Sequence, residues 1–193
     1  MVGIRAVAKS FWGEINLPRM KWSKLKKAIE NNFCDELKDR VKIHFTVYRA
    51  EHEPESRYWI TVDGKEIISI SELKWIIEYY GLADELRNIN NCKDFRDENQ
   101  KEGYYQAYTD AEKILKAKGM LPDYEFGNSL KDYLSLPFED ALISDNLVFK
   151  ALAMIDKRLG KRRLRDIELS DIEHPLVKEL YKVRCNVTGM SSG

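Results

Sequence analysis

The chain has 193 residues, 44% hydrophobic and 33% charged, with 4 Trp, 10 Tyr and 7 Phe. That composition supports a core without disulfide or metal staples and is too aromatic for a disordered chain. Lys and Arg number 32, as do Asp and Glu, so the net charge is zero, which excludes whole-molecule steering toward nucleic acid.

After Leu17-Pro18, the residues Leu25, Ala28, Ile29 and Phe33 recur at helical spacing from Trp22 onward, with Ser23 as the expected N-cap. The period then changes to two. Between Arg40 and Arg49, Val41, Ile43, Phe45 and Val47 alternate with Lys42, His44, Thr46 and Tyr48, the pattern of a half-buried strand. A charged loop around Pro54 leads to a second strand with Tyr58, Ile60 and Val62 on one face and Trp59 and Thr61 on the other. Asp63-Gly64 joins it to Lys65–Ile68; this dipeptide tolerates the positive φ angles of a type I′ hairpin turn. Ser69 and Glu72 stand at capping-box spacing, opening a helix expected to run through Tyr80 and stop at Gly81.

Residues 82–100 read as a loose helical connection. Tyr104, Tyr108, Ala111, Leu115 and Lys118 then share one helix stripe that Gly119 terminates. Two short helices are expected around Leu130–Leu134 and Phe138–Leu142, separated by Pro137. Asp145 or Asn146 caps a helix whose inner face is Phe149, Leu152, Ile155 and Leu159, with Gly160 at its C′ position. His174-Pro175 opens a last helix with Leu176, Leu180 and Val183 inward, ending near Gly189. The tail MSSG is expected to fray. The fold class that follows is α+β: a small antiparallel sheet of about three strands with an Asp-Gly hairpin, packed with a predominantly helical C-terminal half. One domain over residues 1–193 is expected, with 1–81 and 82–193 as the alternative subdivision.

No stretch reaches the ~20 apolar residues that cross a bilayer, and MVGIRAVAKSFWGEINL has no sustained signal-peptide core. Cys34, Cys92 and Cys185 are far apart, odd in number and without CxxC or Cys/His pairing. These are the marks of reduced thiols and not of a disulfide framework or zinc site. The cytoplasm is the expected compartment.

Six of the ten residues from Asp156 to Arg165 are Lys or Arg. As a binding surface, Arg158, Lys161, Arg162, Arg163 and Arg165 would offer guanidinium forks to phosphates or to an acidic partner. As a structural feature, the run is a helix C-terminus whose cations complement the dipole, and this reading takes precedence. His44, His52 and His174 lack partners at metal-ligand spacing. Asp63 with Lys65, and Glu55 upstream, weakly suggest a metal-dependent hydrolase, although Asp-Gly in a tight turn is explained by backbone geometry alone. There is no GxGxxG, GxxxxGK[ST] or GxSxG motif, so no positive case for an enzyme, a metal or a cofactor emerges.

The string NLVFKALAMIDKRLGKRRL at 146–164 and EHPLVKELYKVRC at 173–185 resemble a family of uncharacterised bacterial proteins. The resemblance rests on Asp156, Lys157, Arg158, Gly160, Lys161 and Arg162, and on Tyr181, Arg184 and Cys185, about a quarter of the chain. It implies a bacterial context and no known activity. Asp156 and Arg184 are charge-matched, so a buried ion pair locking two helices is the expected structural role of the motif.

The leading functional expectation is a non-enzymatic interaction protein, binding a protein partner or itself, because Trp12, Trp22, Trp59 and Trp75 crowd the N-terminal region and aromatics favour interfaces. Those tryptophans equally suit a core. The alternatives are a nucleic-acid-binding accessory protein using 157–165 and the hydrolase centred on Asp63 and Lys65.

Overall fold

The alternating stretch after Arg40 becomes the first strand of a sheet, in a computed structural model that describes residues 21–49, 54–170 and 173–190. Strands β1 (Val41–Arg49), β2 (Pro54–Val62) and β3 (Lys65–Ser71) form one antiparallel sheet in the order β1-β2-β3. Asp63 and Gly64 turn with φ of 50° and 78°, the two left-handed positions that a type I′ hairpin demands. The register sets Val41 against Val62 and Ile43 against Ile60. Val41, Ile43, Ile60, Val62 and Ile70 are buried on one face, while His44, Arg57, Trp59 and Thr61 share the other.

Among the described residues eight α-helices accompany the sheet: α1 (Trp22–Glu30), α2 (Glu72–Ile89), α3 (Lys101–Ala117), α4 (Asp123–Tyr133), α5 (Phe138–Ile143), α6 (Leu147–Ile155), α7 (Lys161–Arg165) and α8 (Pro175–Thr188), with a 3-10 turn at Asp35–Leu37. Helix α1 seals the edge of β1. Glu30 accepts a hydrogen bond from the Ile43 amide at 3.0 Å and Lys26 donates to the Ile43 carbonyl at 2.8 Å, so backbone groups that would template a further strand are satisfied. Leu25, Ile29, Leu37, Ile43, Ile60, Leu130, Leu152, Ile155, Leu159 and Leu180 belong to one apolar cluster spanning the sheet, α1 and α4–α8.

Helices α2 and α3 form an arm beside this body. Trp75, Ala83, Ala107, Ala111 and Leu115 are buried yet stand outside the main cluster. Tyrosine rings fill the rest of the seam, with Tyr79 at 5.7 Å and Tyr80 at 6.0 Å from Tyr108, and the Arg87 guanidinium over Tyr104 at 4.5 Å and Tyr108 at 4.7 Å.

Several element ends differ from expectation, each for a local reason. Lys21, not Ser23, is the N-cap of α1, without a side-chain bond. Ser71, not Ser69, caps α2 by accepting from the Lys74 amide, because Ser69 is still paired with Trp59 in the sheet. Gly81 does not stop α2: the burial of Ala83 and Arg87 beyond it outweighs the ~1 kcal/mol helix penalty of one glycine. The segment 82–100 therefore divides into a helix to Ile89 and a turn-rich link. Helix α6 ends at Ile155 instead of reaching Gly160. There the Cys34 amide bonds the Ile155 carbonyl at 2.9 Å and the Lys157 amide bonds the Asn32 carbonyl at 2.7 Å, so long-range backbone pairing replaces the next helical turn. Gly160, at φ −70°, is the N-cap of α7 and not a left-handed C′ glycine. Gly189, at φ 71°, does end α8.

Candidate interaction surfaces

The basic run is a turn followed by the five-residue helix α7, not a helix C-terminus, so the dipole account of its cations does not hold. Its members are scattered in role. The Arg158 Nε and Nη2 donate to Asp156 at 3.0 and 2.8 Å, and Arg163 forms a two-pronged ion pair with Glu139. Lys157 donates to the Asn31 carbonyl at 2.9 Å. Lys161, Arg162 and Arg165 are exposed and make no ion pair among the described residues.

Asp156 and Arg184 are both buried, but they do not pair. The fully buried Asp156 carboxylate accepts from the Tyr133 hydroxyl at 2.6 Å, from the Arg158 amide at 2.8 Å and from the Arg158 guanidinium. Burial pushes the Tyr133 phenol far above its ordinary range, and the bond to Asp156 holds Arg158 charged. A partner two residues away leaves Asp156 no acceptor capacity for a distant arginine. Arg184 instead donates through Nη2 to the Leu159 carbonyl at 3.1 Å, with Glu36 at 3.7 Å. Its Nε and Nη1 have no hydrogen-bond partner among the described residues, and burial lowers its pKa. Tyr181 reaches the Leu164 and Ile167 carbonyls at 3.4 and 3.3 Å, fastening α8 to the end of α7.

Asp63 is held by Arg40, whose Nε and Nη2 lie 2.7 and 2.6 Å from its two oxygens. Glu55 sits opposite Tyr48 at the far end of β2. Among the described residues no three His, Cys, Asp or Glu gather in a metal-sized cluster, and the hydrolase reading finds no support in this arrangement. Cys34 and Cys185 are buried thiols and Cys92 is half-buried. Trp75 is buried, Trp22 packs on the body core, and Trp59 stacks on His44 with ring centroids 4.9 Å apart. Trp12 and His52 lie outside the described residues, as do most of the N-terminal segment and the final three residues.

The surface that sequence reasoning missed is on α2. Leu73, Ile76, Ile77 and Tyr80 follow i, i+3, i+4, i+7 spacing and are 41–61% exposed. This places four large apolar side chains on one stripe beside the buried face of Trp75, Ala83 and Arg87, with Tyr80 at its seam edge against Tyr108. The signal was present in the sequence: the stretch Leu73–Tyr80 is apolar around most of its circumference, which a helix lying on one neighbour does not need.

A polar cleft of about 390 Å3 lies where the α3–α4 link meets the starts of α6 and α8, with Lys116, Lys118, Glu125, Asn146, Lys150, Glu173 and His174 in its walls. Lys116 bridges Glu112 and Glu125 at 2.9 and 2.8 Å, and Lys150 pairs with Glu173. His174, the N-cap of α8, accepts through Nδ1 from the Leu176 amide at 3.0 Å and reaches the Gly119 carbonyl through Nε2 at 3.2 Å. Both contacts require the neutral Nε2–H tautomer, and burial lowers the imidazole pKa in the same sense. Lys116 and Lys150 are thus paired to glutamates and His174 is committed to two backbone groups, whereas Lys118 and Asp145 in the same walls are exposed and make no ion pair among the described residues.

A family model described as the SF0329 protein family matches residues 21–185, so the chain belongs to that family. No curated protein and no solved structure matches it.

Proposed function

We propose that this member of the SF0329 protein family is a non-enzymatic interaction protein that offers the outer face of its α2–α3 arm to a protein partner. The observation carrying the reading is the exposed Leu73, Ile76, Ile77 and Tyr80 stripe, a contiguous apolar surface of the kind that marks an interface. The arm beneath it is braced by Trp75, Tyr79, Tyr108 and the buried Arg87, so the stripe is presented on a rigid support with little ordering entropy left to lose. The resemblance of the C-terminal segments favours a bacterial setting, and three free cysteines suit a reducing cytoplasm.

The test is an affinity capture from native cells run in parallel with wild type and a Leu73→Ser, Ile77→Asp variant, followed by reconstitution with the purified partner. A partner retained by wild type and lost by an equally stable variant supports the reading. Equal retention by both ends it. Light scattering on the same pair distinguishes self-association from a foreign partner.

A second reading, a nucleic-acid accessory role, is favoured by the unpaired Lys161, Arg162 and Arg165. It requires retention of mixed DNA and RNA at low salt that falls steeply as salt rises and is lost when these three become Ala.

A further inference from the structure

We propose that the groove along the outer edge of β3 is a second binding site, taking an extended acidic peptide segment as a fourth strand of the sheet. The Ile43 amide and carbonyl bond Glu30 and Lys26 outside the sheet, so they point away from β2. Ile60, opposite Ile43, therefore turns its groups toward β3, and its partner Ile68 turns toward β2. Alternation then sends the Ser69 amide and carbonyl outward. Among the described residues the sheet ends at β3, and no backbone or side-chain group bonds that edge.

That edge is not open surface. Residues 67–71 line a groove of about 260 Å3 whose other wall is Trp75, Met120, Leu121 and the His174–Leu176 start of α8. That wall packs tightly on itself because residue 119 is glycine: at φ +81° a Cβ there would fall 2.0 Å from His174 Nε2. The groove continues through Leu121, His174 and Pro175 into the polar cleft, giving an elongated channel suited to a strand and not to a compact ligand. Free main-chain groups supply affinity in strand addition, and side-chain surroundings select the sequence. Here Trp75, Met120 and Leu121 call for an apolar residue facing the wall. Lys74 is the one Lys, Arg, Asp or Glu lining the groove, exposed and without an ion pair among the described residues, and its charge selects a flanking carboxylate; in the adjoining cleft Lys118 is balanced by Asp145.

The experiment is an NMR titration of the 15N-labelled full chain with a capped pentapeptide of alternating glutamate and valine, and with its lysine–valine counterpart. The glutamate peptide is expected to shift the Ser69 amide and slow its exchange, more weakly as salt rises, and the lysine peptide to do neither. Ser69→Pro removes the outward N–H while sparing main-chain bonds to β2, although it also removes the Ser69 hydroxyl that accepts from Arg57 Nε at 2.8 Å, and is expected to weaken binding about tenfold; Ser69→Ala, which loses the hydroxyl alone, is expected to bind as wild type. Lys74→Glu inverts the preference, which tests the site even where the proline variant fails to fold. Ile77→Asp on the arm leaves the titration unchanged, keeping this site distinct from the α2 surface. No response at Ser69, a response centred on another surface, or wild-type affinity in a folded Ser69→Pro overturns the proposal.

Discussion

The body closes on branched aliphatic side chains: Ile29, Leu37, Ile43, Leu152, Ile155 and Leu180 are all excluded from solvent in one continuous cluster. The arm closes on small residues and rings, with Ala83, Ala107 and Ala111 letting α2 and α3 approach while Tyr104 and Tyr108 pack on Arg87 and Tyr79 packs on Tyr108. The body buries its one misfit, Arg184, at the expense of unmet hydrogen bonds. In the arm, Arg87 likewise leaves Nη1 without a hydrogen-bond partner among the described residues, but it pairs with Asp84 and lies over the Tyr104 and Tyr108 rings, which offset its desolvation. The contrast teaches that two kinds of packing coexist in one chain: aliphatic interlock in the body, and small residues with aromatic rings in the arm, where Leu73, Ile76 and Ile77 are left exposed.

The largest effect that would sharpen this contrast lies in the body. Asp156→Ala leaves the buried Tyr133 hydroxyl unpaired and releases Arg158; a loss of about 3 kcal/mol is expected, roughly 10 °C in melting temperature for a chain of this size. Arg184→Leu is the counterpart. Because Nε and Nη1 have no hydrogen-bond partner among the described residues, replacing the buried guanidinium is expected to change stability by less than ~1 kcal/mol, and a loss as large as that of Asp156→Ala would restore Arg184 as a scaffold residue.

Next in size is Arg87→Met in the arm, expected to cost about 2 kcal/mol through two cation–π contacts. Hydrogen exchange should quicken in α2 and α3 while the sheet and α6 stay protected, the signature of a separate cooperative unit. Uniform quickening through the body would show that arm and body unfold together.

A smaller effect sits where the two regions meet, at His174. Its pKa is lowered by burial, so the fold binds the neutral ring. That contribution is complete above the ordinary histidine value of 6.5 and is lost as pH falls from there through the lowered folded value. Wild type should therefore lose more stability than His174→Asn between neutral and mildly acidic pH, since Asn keeps an N-cap acceptor and does not titrate. Parallel denaturation curves at several pH values decide this. Smallest of all, Ile77→Asp should move stability by no more than ~0.5 kcal/mol, because the side chain is 61% exposed; a larger loss would mean that the stripe is core and not a docking face.

Local pattern carried the sequence reading furthest where the determinant was local. The Asp63-Gly64 hairpin, the alternation from Val41 to Val47 and the α8 boundaries at His174-Pro175 and Gly189 were all legible, because backbone sterics and the period of burial act within a few residues. The Asp156–Arg184 pair was read from charge matching alone, and failed because Arg158 is nearer and satisfies the carboxylate first. Whether a glycine ends a helix is likewise settled by what lies beyond it: Gly81 is passed because α3 waits for Ala83 and Arg87, whereas α6 stops early because Asn32 and Cys34 claim the backbone around Ile155 and Lys157. The sequence by itself determined the class of fold and the inward face of each strand, since hydrophobic periodicity needs no partner to be read. Only the tertiary structure decided which apolar face remains uncovered and which sheet edge remains open. Leu73, Ile76, Ile77 and Tyr80 have the same spacing as a core stripe, and the Ser69 backbone is chemically like any other; exposure is a relation to the rest of the chain, and no residue carries it alone.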